Sequence, residues 1–395
     1  MNLLLKSFDE TILEFSYNDN TFDLENFTIL NKDVLPIRIR NNCNINTLDY
    51  WLQNRITPHG NRILQKISEA KKLNPRNPYR FLLYTHALSL TDSYWIDSQK
   101  SNLRWKDINL YANDFSQEIA EIAFTRHGTA KNQGISPEYT SHGNMKKCWY
   151  RNDKGIFLLK NDKRDPLESE VYSEFFADQV INLFSVHHVT YDLFLFKNRV
   201  TCTCPIFTSE DIGFVEAGAL ARYFSLISDK EKNITYEIGT INWQEKMAQR
   251  FGYDEYSDMM VIDYILGNCD RHLANYGWLI HNINGNLIGP APLFDHGQSF
   301  FAGKDWIFSD LEDLSYWIDN EAEISKFMDK WELIDYFVQE RHGNSLDTLT
   351  NFHFTNNSNL PIADKFLHML EKFVHHQAVN ALTSLESKMR SHMMV

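Results

Sequence analysis

Gly267-Asn268-Cys269-Asp270-Arg271-His272-Leu273-Ala274-Asn275, followed further on by Leu293-Phe294-Asp295-His296-Gly297, carries the most structural information in the chain. An aspartate is followed five residues on by an asparagine, and a second aspartate closes a hairpin pattern turning at Asn284-Gly285. Any one of these residues alone reads as a turn or cap, because Asp and Asn tolerate left-handed backbone and bond their own main chain. Together they divide a chemical task. A carboxylate can orient and deprotonate a hydroxyl, a neutral amide oxygen ligates without adding charge, and a second carboxylate offers the hard anionic oxygen that Mg²⁺ prefers. That set suits phosphoryl transfer from ATP, with Asp270 as base and Asn275 and Asp295 holding Mg²⁺ on the phosphates.

The rest of the chain bounds this reading. It has 395 residues, 43% hydrophobic and 23% charged, a globular composition with room for two or three packed units. Five cysteines without a C-x-x-C pair fit a reducing compartment, and Cys202 and Cys204, alternating in an apolar run, read as buried strand thiols. Leu3-Leu4-Leu5 runs straight into Lys6, Asp9 and Glu10, so no signal peptide is drawn there, and no apolar run is long enough to span a membrane. The expectation is a cytoplasmic protein. A net charge of −13 argues against direct nucleic-acid binding, which needs clustered Lys and Arg. H-E-x-x-H and G-x-S-x-G are both missing, and the adjacent pair His375-His376 reads as surface histidines, so a metallohydrolase is set aside.

Three regions are expected: 1–125 of unknown role, 126–208 as a sheet-rich nucleotide-binding lobe, and 209–395 as a helical catalytic lobe. In the first, Thr47 reads as the cap of a helix through Trp51, and Phe115, Ile119 and Ile122 form one stripe. In the second, Met145–Arg151 and Ile156–Lys160 have strand composition around the turn Asn152-Asp153-Lys154-Gly155. A helix is expected next, with Asp165 as N-cap, Pro166 at the first position and Glu168 at the third, carrying the stripe Tyr172, Phe176, Val180 and Leu183. Strands follow at Tyr191–Phe196 and Val200–Phe207, then mostly helix, interrupted by the Tyr276–His281 and Asn286–Phe294 hairpin.

A phosphate-binding half completes the pattern. Ser141-His142-Gly143-Asn144-Met145 enters the first hairpin, where one glycine lets backbone N–H groups approach phosphate oxygens. Lys160 ends an apolar strand, from whose rim an ammonium can reach the α- and β-phosphates. Cys204-Pro205-Ile206-Phe207-Thr208 falls between the lobes, with Ile206 and Phe207 as apolar walls for adenine and the backbone as its edge reader. Gly297 is expected to supply a positive φ after Asp295. Arg271 is read as keeping Asp270 ionised or touching phosphate, and His272 as filling the loop interior and bonding backbone.

Asp263 to His272 with Asn275, then Asp295, resembles the catalytic and metal-binding segments of HipA-like serine/threonine kinases, and the Asp-Arg-His-x-x-Asn core is also similar to that of phosphatidylinositol 3- and 4-kinases. The resemblance implies an α+β, two-lobed protein-kinase-like fold with an added N-terminal α+β region, and an ATP- and Mg²⁺-dependent kinase with a protein substrate. It further implies that Glu170 orients Lys160, that Ser141 or the adjacent Thr140 is autophosphorylated, and that a separately encoded antitoxin-like protein is a partner. A lipid or small-molecule kinase on the same scaffold and a catalytically silent binding module stay open as alternatives.

Overall fold

The computed structural model describes residues 1–56, 62–74, 76–128, 134–140, 146–161, 168–224, 241–302 and 330–393. The chain divides into two compact units: Met1–Lys160 with Pro205–Lys232 and Gly277–Gly289, and Asn161–Cys204 with Asn233–Tyr276 and Pro290–Val395.

In the first unit, period-two alternation builds the opening sheet. β1 (Asn2–Ser7), β2 (Glu10–Tyr17), β3 (Leu24–Ile29) and β4 (Tyr94–Ser98) pair in the order β3-β2-β1-β4, antiparallel throughout. Leu3, Leu5, Leu13, Phe15 and Tyr17 point to one face and meet Leu48, Trp51 and Leu52 of the helix Ile45–Gln53. Each such buried aliphatic side chain contributes roughly 1.5–3 kcal/mol. The cap of that helix is Asn44, whose Oδ1 accepts the N–H groups of Asn46 and Thr47. Thr47 instead returns its hydroxyl to the Asn44 N–H, so it is the third residue of the capping box rather than the cap itself. Ile119 and Ile122 are buried on the helix Gln117–Thr125, while Phe115 precedes it, half-buried.

β5 (Lys146–Asn152) and β6 (Gly155–Asn161) are neighbours in a sheet, joined where Asn152 Oδ1 accepts the Lys154 N–H at 2.8 Å. The segment before β5 is pinned by Glu138, a fully buried carboxyl that accepts the Trp149 N–H at 2.8 Å. Burial pushes the Glu138 pKa up, against the bonds from Ser136 and Trp149. β9 (Ile212–Glu216), β10 (Gly277–His281) and β11 (Leu287–Pro290) form a second small sheet, ordered β11-β10-β9. Its hairpin turns at Gly285, whose φ of 65° and close approach to the Arg40 guanidinium favour glycine.

The second unit is mainly helical, with β7 (Asp192–Phe196) and β8 (Arg199–Pro205) as an antiparallel pair. Cys202 and Cys204 are buried in β8, as their alternation requires. The central helix Tyr253–Leu266 is buried on all sides from Tyr256 onward. Phe176, Phe300, Phe354 and Phe373 interlock by edge-to-face contacts at 5.1–6.1 Å. The helix expected after residue 165 runs Ser169–Ile181. Glu168 lies before its first turn with φ 54° and makes no capping bond, so the expected capping box is not formed; Asp165 and Pro166 lie outside the described residues. Tyr172, Phe176 and Val180 are buried on it, and Leu183, beyond its end, is half-buried. Toward the C-terminus, Lys330–Tyr336 passes into a π-helical turn, Phe337–His342, and then Gly343–Leu349.

Candidate active site

The loop carrying Asp270 hangs from the end of the Tyr253–Leu266 helix. Gly267 stops that helix in left-handed conformation, φ 63°, and its added Cβ would stand 3.0 Å from the Phe373 ring. A helix end this deeply buried needs its polar groups satisfied, and Asp263 supplies the means. Its fully buried carboxylate receives Arg271 Nε at 2.7 Å and Nη2 at 3.0 Å, and the Asn268 amide at 2.8 Å. The remaining Arg271 nitrogen, Nη1, donates to the carbonyls of Asn275 at 2.7 Å and Phe294 at 2.6 Å. One guanidinium thus ties the helix end, the Asp270 loop and the residue before Asp295 together. Burial alone lowers its pKa, but the Asp263 carboxylate outweighs that and raises it, so the charge persists.

This corrects one expectation. Arg271 does not reach toward phosphate, since its nitrogens are spent on Asp263 and two carbonyls. It still favours the ionised form of Asp270 through space.

Asp270 and Asn275 are joined directly, Asn275 Nδ2 donating to the Asp270 carbonyl at 2.8 Å. With Nδ2 so committed, Asn275 keeps Oδ1 as an acceptor. His272 folds back into the loop, where its Nδ1 accepts the Ala274 N–H at 3.2 Å, the backbone role expected of it. Asp270 is solvent-exposed by area, while protein atoms crowd its carboxylate. Lost hydration raises the Asp270 pKa above the ordinary carboxylate value; Asp295 adds to the rise, while His272 and Arg271 oppose it. Asp295 is therefore close enough for its charge to be felt at Asp270.

Asp295 itself adopts φ 65°, and its N–H donates to the Tyr191 hydroxyl at 3.1 Å. The left-handed residue of the Asp-His-Gly turn is thus Asp295, and Gly297 is not among the positive-φ glycines, contrary to expectation. A Cβ on Gly297 would meet the Glu170 carbonyl at 3.5 Å and Glu174 Oε1 at 3.6 Å, ordinary contacts. The turn is laid along the Ser169–Ile181 helix. His296 N–H donates to Glu174 Oε2 at 2.8 Å, Ser173 Oγ to the Ser299 carbonyl at 3.0 Å, and the Gln298 amide to Glu170 Oε1. Glu174, fully buried, is the anchor of this turn that its sequence did not single out, because the acidic Glu170 and Asp178 lie one turn to either side of it.

Of the other candidates, Lys160 is 7% exposed on β6. Ile206 gives its N–H to the Ile156 carbonyl at 2.9 Å, which removes that amide from the expected adenine-reading role. Its side chain packs at the edge of the Leu88–Trp95–Ile156 cluster, and Phe207 stacks edge-on with Phe214 at 5.5 Å. Thr140 donates its hydroxyl to the Leu88 carbonyl at 2.9 Å. Ser141, His142, Gly143 and Asn144 lie outside the described residues. The donor set of one amide oxygen and one carboxylate fits Mg²⁺, which completes its octahedron with water and phosphate oxygens. Among the described residues there is no cluster of three or more His, Cys, Asp or Glu side chains suited to a metal.

Residues 197–352 match the family model described as phosphatidylinositol 3- and 4-kinase, a span that holds Asp270, Asn275 and Asp295. With the α+β fold, this makes the chain a kinase of the protein-kinase-like class. It is 24% identical over 229 residues to the serine/threonine-protein kinase CtkA of Helicobacter pylori strain J99, covering 54% of this chain and 70% of CtkA. Its fold is shared with a chain of the Shewanella oneidensis MR-1 toxin–antitoxin complex of HipA, HipB and operator DNA, with a TM-score of 0.55, 13% identity and 98% coverage of both chains. The crystal structure of the H. pylori proinflammatory kinase CtkA overlays at a TM-score of 0.43, with 18% identity, over 62% of this chain and 90% of that one.

Proposed function

We propose that this protein is an ATP- and Mg²⁺-dependent kinase that phosphorylates serine or threonine in a protein substrate. The observation that carries the reading is the convergence of Asp270, Asn275 and Asp295 on one loop system fixed by the Arg271–Asp263 pair. Asp270, exposed and partly desolvated, orients the attacking hydroxyl and takes its proton. Asn275 Oδ1 and the Asp295 carboxylate would hold Mg²⁺, which supplies charge neutralisation on the phosphates. Lys160, with Glu170 as its orienting partner, would neutralise phosphate charge, and Ile206 and Phe207 would wall the adenine. The loop Ser141 to Asn144 would cradle phosphate. Ser141 is the preferred site of self-modification, because the Thr140 hydroxyl is already donated to a carbonyl.

The relation to CtkA favours a protein acceptor. The HipA complex supports a separately encoded antitoxin-like partner, which would hold the nucleic acid in place of this acidic chain. The name of the matched family favours a second reading, a phosphoinositide acceptor. Among the described residues no helix is long and apolar enough to cross a membrane.

Incubation of the purified protein with γ-labelled ATP and Mg²⁺, beside an Asp270→Asn variant, tests the proposal. Label on seryl or threonyl residues of protein, lost in the variant, supports it. Label in phosphoinositide vesicles alone transfers the assignment to the second reading, and no label in either refutes kinase activity.

A further inference from the structure

Asp295 occupies a backbone conformation that non-glycine residues adopt at a cost, φ 65°, and it does so at the position where its carboxylate must meet a cation. Its N–H is accepted by the hydroxyl of Tyr191 at 3.1 Å, and Tyr191 is 6% exposed. We propose that Tyr191 is a positioning residue that keeps Asp295 in its metal-binding conformation, an inference that rests on the assignment of Asp295 as a Mg²⁺ ligand.

Tyr191 is itself fixed from two sides. Its own N–H donates to Asp178 Oδ1 at 3.2 Å, on the Ser169–Ile181 helix, and the same oxygen lies 3.2 Å from His188 Nε2. The His188 ring is held at its other nitrogen by the Val186 carbonyl at 2.8 Å. The main chain just before Tyr191 then pairs with the main chain just before Asp295: Leu293 N–H to the His187 carbonyl at 2.9 Å, and Val189 N–H to the Leu293 carbonyl at 2.8 Å. The two segments therefore advance in register, so that a tyrosine two residues past Val189 presents its hydroxyl to the residue two past Leu293. A phenylalanine would keep the ring and the register but leave the Asp295 N–H without its acceptor. The turn would then sample conformations in which the carboxylate is turned away, and the apparent metal affinity would drop by the fraction lost.

The test is a titration of the full chain with Mn²⁺, followed by electron paramagnetic resonance, in the presence of a non-hydrolysable ATP analogue. Parent, Tyr191→Phe and Asp178→Asn are compared. Loss of a hydrogen bond to a part-buried N–H raises the Mn²⁺ dissociation constant of Tyr191→Phe on the order of tenfold. Turnover at saturating Mg²⁺ stays within about threefold of the parent, because the occupied state is restored by mass action. Asp178→Asn, which keeps the hydroxyl but loosens the segment bearing it, raises the constant less, and it decides the matter if Tyr191→Phe does not fold. Constants within about twofold of the parent's overturn the inference, since preorganisation lost must appear as affinity lost. A parent that binds no Mn²⁺ with nucleotide overturns the functional reading and this inference with it. A parent that binds, beside variants that match it, overturns the inference alone.

Discussion

Replacing Arg271 by methionine perturbs the point on which three parts of the site depend. The substitution leaves the Asp263 carboxylate, fully buried, with only the Asn268 amide among its present side-chain donors, and frees the carbonyls of Asn275 and Phe294. Breaking a buried pair by removing one partner costs about 3–5 kcal/mol, because an uncompensated charge remains inside. Against a total stability of roughly 5–15 kcal/mol this is a large fraction, and in a chain of this size it lowers the melting temperature by roughly 4–6 °C. The double substitution Arg271→Met with Asp263→Leu removes both charges and should recover all but about 2 kcal/mol, the residue being the stranded Asn268 amide. It should nonetheless stay inactive, since the guanidinium no longer ties the Asn275 and Phe294 carbonyls to the helix end. Urea unfolding with a parallel labelled-ATP assay reads both quantities. A single variant within about 0.5 kcal/mol of the parent, or a double variant with parental turnover, would refute the argument that this pair organises the site.

Further outcomes follow from the same geometry. Asp270→Asn should lower turnover by on the order of 10²- to 10³-fold while nucleotide binding, measured by calorimetry, persists. The pH profile of turnover should fall on the acid side through a value above that of an ordinary aspartate, because lost hydration and Asp295 raise the Asp270 pKa. The stability linkage has the opposite sense to that of a salt-bridged carboxylate. The native state holds the Asp270 proton more tightly than the unfolded chain, so this group's contribution is present at low pH and is lost as pH rises through its raised value; denaturant titration across pH checks it. Gly267→Ala should destabilise by about 1–2 kcal/mol, through its positive φ and the Phe373 ring. Gly297→Ala should cost under about 1 kcal/mol, because its Cβ meets only ordinary contacts and its φ is not left-handed.

The parts of this site legible in the sequence were those whose chemistry depends on residue type at a fixed short spacing. Asp270 and Asn275 are of that kind, as are the strands around Gly155 and the turn at Gly285, where local rules and the final structure agree. What stayed hidden depends on distant burial. Nothing local shows that Asp263, seven positions before Asp270, would accept the Nε–Nη2 edge of the Arg271 guanidinium, or that Glu174 would receive the His296 N–H across more than a hundred residues. Competing caps misled the reading in a different way. Asn44 and Thr47 both suit a helix start, and only the direction of their hydrogen bonds separates them. The expectation that glycine would hold the positive φ after Asp295 failed because Asp295 itself takes the left-handed conformation, its N–H donated to the Tyr191 hydroxyl.

The central claim is that Asn275 and Asp295 hold the metal of a nucleotide triphosphate beside Asp270. A crystal of the full chain grown with Mn²⁺ and a non-hydrolysable ATP analogue, measured at a wavelength where manganese scatters anomalously, tests it most directly. The account predicts a manganese peak about 2.1–2.2 Å from Asn275 Oδ1 and from an Asp295 carboxylate oxygen, with the terminal phosphate facing the Asp270 carboxylate. Nucleotide bound with its manganese away from both side chains would contradict it.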